Sequence, residues 1–165
     1  GRNLTGETFN RIINPGRPIP EESVKFHGIT DAIAKDKPPI GVVLPQFKAY
    51  AADAVLVAHN AAFDLKFIRM REQESRVRFD NPVLDTMLLS SYVDGSRENQ
   101  SLDAIAQRYG IVVHDRHTAL GDAMTTAAVL VKLIDALEAK GIHTLDEAVT
   151  TLNMSWELHN RAQAF

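Results

Sequence analysis

The sequence contains no cysteine. That excludes disulfides and thiolate zinc sites, and it fits a reducing cytoplasm, the compartment expected for this chain. An excess of positive charge is also missing. Lys and Arg number 18 against 21 Asp and Glu, a formal net charge of −3. Proteins that coat duplex nucleic acid by neutralising phosphates are usually basic, so the balance argues against a broad footprint. It leaves open a grip on a few nucleotides through metal ions. No apolar run approaches the roughly 20 residues that span a bilayer, so no membrane association is expected. The start, Gly1-Arg2-Asn3-Leu4, lacks the basic stretch and apolar run of a signal peptide. There is no internal repeat, low-complexity run or linker, and 165 residues read as one domain with a real core.

What is present alternates between strand and helix signals. The apolar positions Phe9, Ile12 and Ile13, stopped by Asn14-Pro15-Gly16, predict a strand over 7–13. A short helical turn is expected over 21–26, ended by His27-Gly28, and a second one capped by Thr30 and Asp31 before Pro38-Pro39. Val43, Leu44, Phe47 and Tyr50 recur at helical spacing, and the run 54–58 (Ala-Val-Leu-Val-Ala) reads as a buried strand covered on both faces. A helix follows, with Phe63, Phe67, Ile68 and Met70 expected inward and Lys66, Arg69, Arg71 and Glu72 outward. Pro82-Val83-Leu84 reads as a second buried strand. Asp85-Thr86 then leads into an apolar helix to about Tyr92, with Asp85 as its cap. Ser101 caps a helix closed by Gly110, Thr118 caps the longest helix over about 119–139, and Thr144 starts a short last one. The tail from Asn153, with the lone tryptophan Trp156, is expected to pack on the body or a partner. Strands alternating with helices make the fold α/β, with about three strands visible.

Three polar residues stand at chemically useful places. Asp64 follows His59-Asn60 at the mouth of a buried strand, in the first turn of a helix. His117 directly precedes the longest helix, and Asp122 lies in that helix's first turn between Gly121 and Ala123. In open α/β sheets, functional groups gather at the carboxyl ends of strands. Two carboxylates from separate helices plus an imidazole can bind hard divalent cations and manage a proton. An Asp in a helix's first turn also simply complements the helix dipole, and periodicity does not choose between the two. His114, His143 and His159 show no metal spacing and read as surface. The arginines Arg69, Arg71, Arg76 and Arg78 read as a solvated face.

The run His59-Asn60-Ala61-Ala62-Phe63-Asp64-Leu65-Lys66-Phe67-Ile68 resembles the second motif of the DEDDh family of 3′-to-5′ exonucleases. His117-Thr118-Ala119-Leu120-Gly121-Asp122-Ala123 resembles its third, whose histidine separates this branch from the tyrosine branch. Ser101-Leu102-Asp103-Ala104-Ile105-Ala106 with Arg108-Tyr109 is similar to the intervening helix of the epsilon proofreading subunit of bacterial DNA polymerase III. Phe26-His27-Gly28-Ile29-Thr30-Asp31, after Asn14-Pro15-Gly16, matches a further signature. The resemblance spans about residues 8–134 in the right order, with 135–165 as a helical extension.

It implies a ribonuclease H-like fold, a mixed central sheet flanked by helices. It implies hydrolysis of a phosphodiester at a nucleic-acid 3′ end, most naturally single-stranded DNA, with two Mg²⁺ or Mn²⁺ ions roughly 3.5–4 Å apart. Asp64 and Asp122 map to metal-holding carboxylates and His117 to the general base. His27 and Glu22 map to contacts with the terminal nucleotide. A polymerase subunit or further domains are the partners it suggests. RNA is an alternative substrate, since the motifs do not encode contacts to the 2′-OH.

The chain departs from the family at the first motif. No Asp-x-Glu occurs anywhere in it, and the first one or two strands of the sheet are expected to be missing with that motif. A fragment of a longer protein is favoured over a pair supplied by another subunit, and over a degenerate relative that only binds. Two function classes therefore stand: a metal-dependent exonuclease, and a non-catalytic module that holds a nucleic-acid end or a protein.

Overall fold

The molecule is organised around a strand–helix–strand unit. β1 (Leu56–Ala58) and β2 (Val83–Asp85) run parallel, with Leu56 opposite Val83, Val57 opposite Leu84 and Ala58 opposite Asp85. A parallel pair needs a crossover, and α4 (Ala61–Ser75) makes it. The computed structural model describes residues 2–96 and 98–163, and of 155–163 the backbone alone. The surroundings of Trp156 and His159 lie outside the described side chains.

After β2 the chain is helical: α5 (Thr86–Asp94), α6 (Leu102–Arg108), α7 (Ala119–Ala139) and α8 (Leu145–Gln163). α7 is the spine. Its buried residues Gly121, Thr125, Val129, Leu133 and Leu137 recur every four positions and form one stripe. Leu84, Leu89, Leu102 and Ile105 join Val129 and Leu133 in a single core, which α8 completes with Ala148 and Leu152. The two buried threonines of α7 add no unpaired hydroxyl. Thr125 Oγ1 donates to the Gly121 carbonyl and Thr126 Oγ1 to that of Asp122, each at 2.8 Å.

Ahead of β1 lie α1 (Glu21–His27), α2 (Asp31–Ala34) and α3 (Ile40–Ala51). α3 buries Val43 and Leu44 and packs on α4. Beside it, Phe47 meets Phe9 and Phe79, each at 5.7 Å between ring centroids. The caps fall where short side chains compete for helix-start amides: Thr30 accepts from Ile33 N, Ser101 from Ala104 N and Thr118 from Gly121 N. Gly28 closes α1 with φ +74°, a left-handed conformation that glycine adopts without a Cβ penalty.

Several expectations are corrected. Residues 7–13 form no strand. Their end makes only an isolated bridge, Asn14 to Pro39, and no described strand lies beside them to complete a ladder. The expected α/β fold stands, as helices around a small parallel sheet with two strands among the described residues; β1 is half-buried on every residue rather than covered on both faces, because among those residues only β2 pairs with it. α4 turns its other face to the protein. Ala61 and Ser75 are buried, whereas Phe63, Phe67 and Met70 are 59%, 54% and 63% exposed. Glu72, expected outward, accepts from Phe79 N at 3.1 Å and is half-buried. The last helix is long, with 19 residues, rather than short. Among the described residues no helix is long and apolar enough to cross a membrane.

Candidate functional site

The carboxyl ends of β1 and β2 are tied together by one side chain. Asp85, the last residue of β2, is buried. Its Oδ1 accepts from Asn60 N at 3.1 Å and Met87 N at 2.9 Å, and its Oδ2 from Ala61 N at 2.9 Å. A buried carboxylate is costly unless such donors surround it. Here they come from the starts of α4 and α5, where helix amides are otherwise unpaired and the dipole favours a negative charge. Asp85 is therefore a cap, as its position after a short strand predicted, and it caps two helices at once. The turn it holds passes through Asn60 at φ +63°.

His59 precedes that turn. Its Nδ1 lies 3.1 Å from Thr86 Oγ1. Burial pushes its pKa below the ordinary value, against the nearby Asp85 charge that favours the imidazolium. Asp64 follows one turn into α4. Loss of surrounding water pushes its carboxyl upward, and its own backbone N–H partly opposes the shift.

On the facing side, α7 begins under a tight loop. Asp115 and His117 have φ +48° and +67°, a left-handed conformation uncommon without glycine. Thr118 Oγ1 donates to Asp115 O at 2.7 Å and accepts from Gly121 N at 3.0 Å. Gly121 permits this closeness, because a Cβ there would sit 2.2 Å from Asp115 O. His117 is exposed and packs its ring against Phe26 of α1, with centroids 4.6 Å apart. Arg116, beside it, donates through Nη1 to Asp122 Oδ1 at 2.6 Å and through Nη2 to Asp103 Oδ2 at 2.9 Å, while its Nε reaches Asp103 Oδ1. The guanidinium holds the Asp103 carboxyl below the usual carboxylate range.

Between these two sides lies an open cleft of about 770 Å³, lined by Phe26, His59, Asn60, Asp64, Arg116 and Asp122 among others. The structure thus brings Asp64 and Asp122 to one cleft, although 58 positions separate them in sequence. His117 stands beside the cleft, against its lining residue Phe26. His27 is half-buried on α1, and its Nδ1 accepts from Ile29 N at 3.0 Å. Glu22 is apart from the cleft lining, on the exposed face of α1, paired with Lys25 at 2.9 Å. Arg116 is not singled out by the sequence, and Phe26 only as the first residue of the 26–31 signature. An ion pair to Asp122 six residues on and Asp103 thirteen back follows no periodicity, so nothing local announces Arg116. Gln100 also lines the cleft, with its Oε1 buried and without a partner among the described residues.

The donor chemistry of the cleft fits a hard divalent cation in type. Asp64 and Asp122 offer carboxylate oxygens, and Mg²⁺ is commonly held by one or two carboxylates with water and substrate phosphate completing its shell. Among the described residues no third His, Asp or Glu joins them around one ion, and Asp122 already has a cation in Arg116.

A family model described as Exonuclease (RNase_T) matches residues 1–130 of the chain. A DNA polymerase III subunit epsilon-like protein of Rhodobacter capsulatus is 49% identical over 152 residues, covering 91% of this chain and 22% of that protein. A PolC-type DNA polymerase III of Caldanaerobacter subterraneus subsp. tengcongensis is 36% identical over 146 residues, covering 88% of this chain and 10% of that protein. The chain thus spans less than a quarter of these curated relatives' length. Among solved structures, exonuclease X in complex with 5′-overhanging duplex DNA superposes with a TM-score of 0.69 at 26% identity, covering 90% of this chain and 85% of that one.

Proposed function

We propose a function from one premise: the chain belongs to the exonuclease family. It shortens DNA from the 3′ end, on single-stranded or frayed termini, in a proofreading-type role within a larger polymerase-associated protein. The observation that carries this reading is the convergence of Asp64 and Asp122 on one cleft, with His117 beside it against Phe26. Asp64 and Asp122 would hold Mg²⁺ or Mn²⁺, which when bound polarises the phosphate and favours a water nucleophile at neutral pH. His117 takes the proton of the attacking water, a task suited to an imidazole whose free pKa is about 6.5. The phosphates of a terminal nucleotide meet the guanidinium of Arg116, and its base meets the exposed ring of Phe26. His27 and Glu22 contact that nucleotide from α1, Glu22 after releasing Lys25.

DNA as the substrate is supported by the likeness to exonuclease X, solved with duplex DNA, and by relatives named for DNA polymerase III. A second reading, a non-catalytic module that binds a nucleic-acid end or a protein, is favoured by the lack of a third metal-competent residue among those described.

A 5′-labelled single strand incubated with Mn²⁺ separates them. Stepwise shortening from the 3′ end, abolished by Asp64→Ala or Asp122→Ala and reduced roughly 10²–10⁴-fold by His117→Ala, is expected for the enzyme. A labelled strand that keeps its full length, and that the chain nevertheless retains in a gel, would leave the binding module.

A further inference from the structure

Asp122 is held by a cation that belongs to the chain itself. Arg116 meets Asp103 with two of its nitrogens, Nε and Nη2, and places the third, Nη1, on Asp122 Oδ1 at 2.6 Å. The two bonds are unequal in kind. The pair with Asp103 is the planar two-point match that a guanidinium makes with a carboxylate, and it is geometrically self-sufficient. The bond to Asp122 is single and uses the remaining end of the fork. Arg116 therefore has an anchor it can keep and a contact it can give up.

The backbone around it is fixed. Thr118 and Gly121 clamp the 115–118 loop onto the first turn of α7. The arginine side chain can let go of Asp122 without the loop moving. Its side chain is 29% exposed, so water can take over the freed Nη1.

We propose that Arg116 is a positioning residue: an internal cation that competes with a divalent ion for Asp122 and retires onto Asp103 when the ion arrives. The inference rests on the reading of Asp122 as a metal-holding carboxylate. The bond from Nη1 at 2.6 Å takes one lone pair of Asp122 Oδ1 and sets a positive charge against the carboxylate, so an arriving cation meets an acceptor already partly engaged. In the metal-free chain Arg116 keeps Asp122 oriented and neutralised in the cleft that Asp64 also lines. In the loaded chain it becomes a positive group at the cleft wall, tethered by Asp103.

The test is Mn²⁺ binding to the full chain, followed by titration calorimetry and by the loss of the free-ion paramagnetic resonance signal, without substrate. Arg116→Gln is expected to tighten Mn²⁺ binding roughly fivefold, the worth of a partly exposed ion pair. Arg116→Lys, which keeps the charge, is expected to stay closer to the parent. Asp103→Asn moves the other way, because an arginine without its anchor leans on Asp122. The decisive arm is the Asp122→Asn background. Competition for that carboxylate vanishes there, so Arg116→Gln brings no gain; a gain that persists is a through-space charge effect and overturns the proposal. Thermal unfolding in EDTA establishes that each variant is folded. If Asp122→Asn weakens Mn²⁺ binding but Arg116→Gln does not tighten it, the competition is refuted and Asp122 keeps its assignment. If Asp122→Asn leaves Mn²⁺ binding unchanged, the assignment of Asp122 fails and the inference fails with it.

Discussion

The two halves of the molecule are built on different terms. From β2 onward, α5, α6, α7 and α8 enclose one core in which Leu89, Ile105, Val129 and Leu133 are fully buried. Ahead of β2, α3 packs on α4 with Val43 and Leu44 buried, beside an aromatic cluster around Phe47 and a row of exposed Phe63, Phe67 and Met70. Both halves are rich in apolar residues at helical spacing. The difference is whether an element exists to receive them. Periodicity creates an apolar face, and only a neighbour turns it into a core.

Leu133→Ala should break the well-packed half. It removes a fully buried side chain from the centre of α7, and unfolding in urea is expected to show a loss of about 2–5 kcal/mol. Gly121→Ala attacks the seam between core and cleft. Its methyl would collide with the Asp115 carbonyl, and a loss of about 1–3 kcal/mol is expected, together with displaced resonances for His117. Asp85→Asn replaces a two-oxygen acceptor by an amide with one. At least one of the amides at Asn60, Ala61 and Met87 then loses its partner, at a cost of about 1–3 kcal/mol in the same denaturation.

The cleft itself should respond to pH with a particular sign. Burial raises the Asp64 carboxyl in the folded chain, so the ionised form is an unfavourable element of the fold above that raised pKa. The penalty is relieved as pH falls through it, because the folded chain then takes up the proton before the unfolded one. Asp64→Asn is therefore expected to raise the melting temperature slightly at pH 7 and not at pH 3. The smallest effect belongs to the loosely covered half. Phe67→Ser, more than half exposed at 54%, should change stability by no more than about 0.5 kcal/mol. A larger loss would mean that this face is packed after all, and would sharpen the contrast out of existence.

What could be read from the sequence follows the same division. The starts of α2, α5, α6 and α7 were legible because their signals are local: a Thr, Ser or Asp whose side chain reaches an amide two or three residues on. The strand expected over 7–13 does not form, because a strand is a relation between two segments and no second one among the described residues pairs with it. The face of α4 was misread for a related reason. Phe63, Phe67 and Met70 make one apolar row and Ala61, Leu65 and Ile68 another, and the sequence does not say which one the sheet covers. Asp64 and Asp122 were marked by their places after a strand and at a helix start. That they share a cleft depends on the packing of α7 against β1, and no local pattern encodes it.

Asp85 has a consequence in time as well as in space. The amides of Asn60, Ala61 and Met87 share one carboxylate, so any motion that withdraws Asp85 uncovers all three at once. They should trade for deuterium together, at one rate set by the opening of β2. The rhythm of the cleft's floor is then that of the core beneath it.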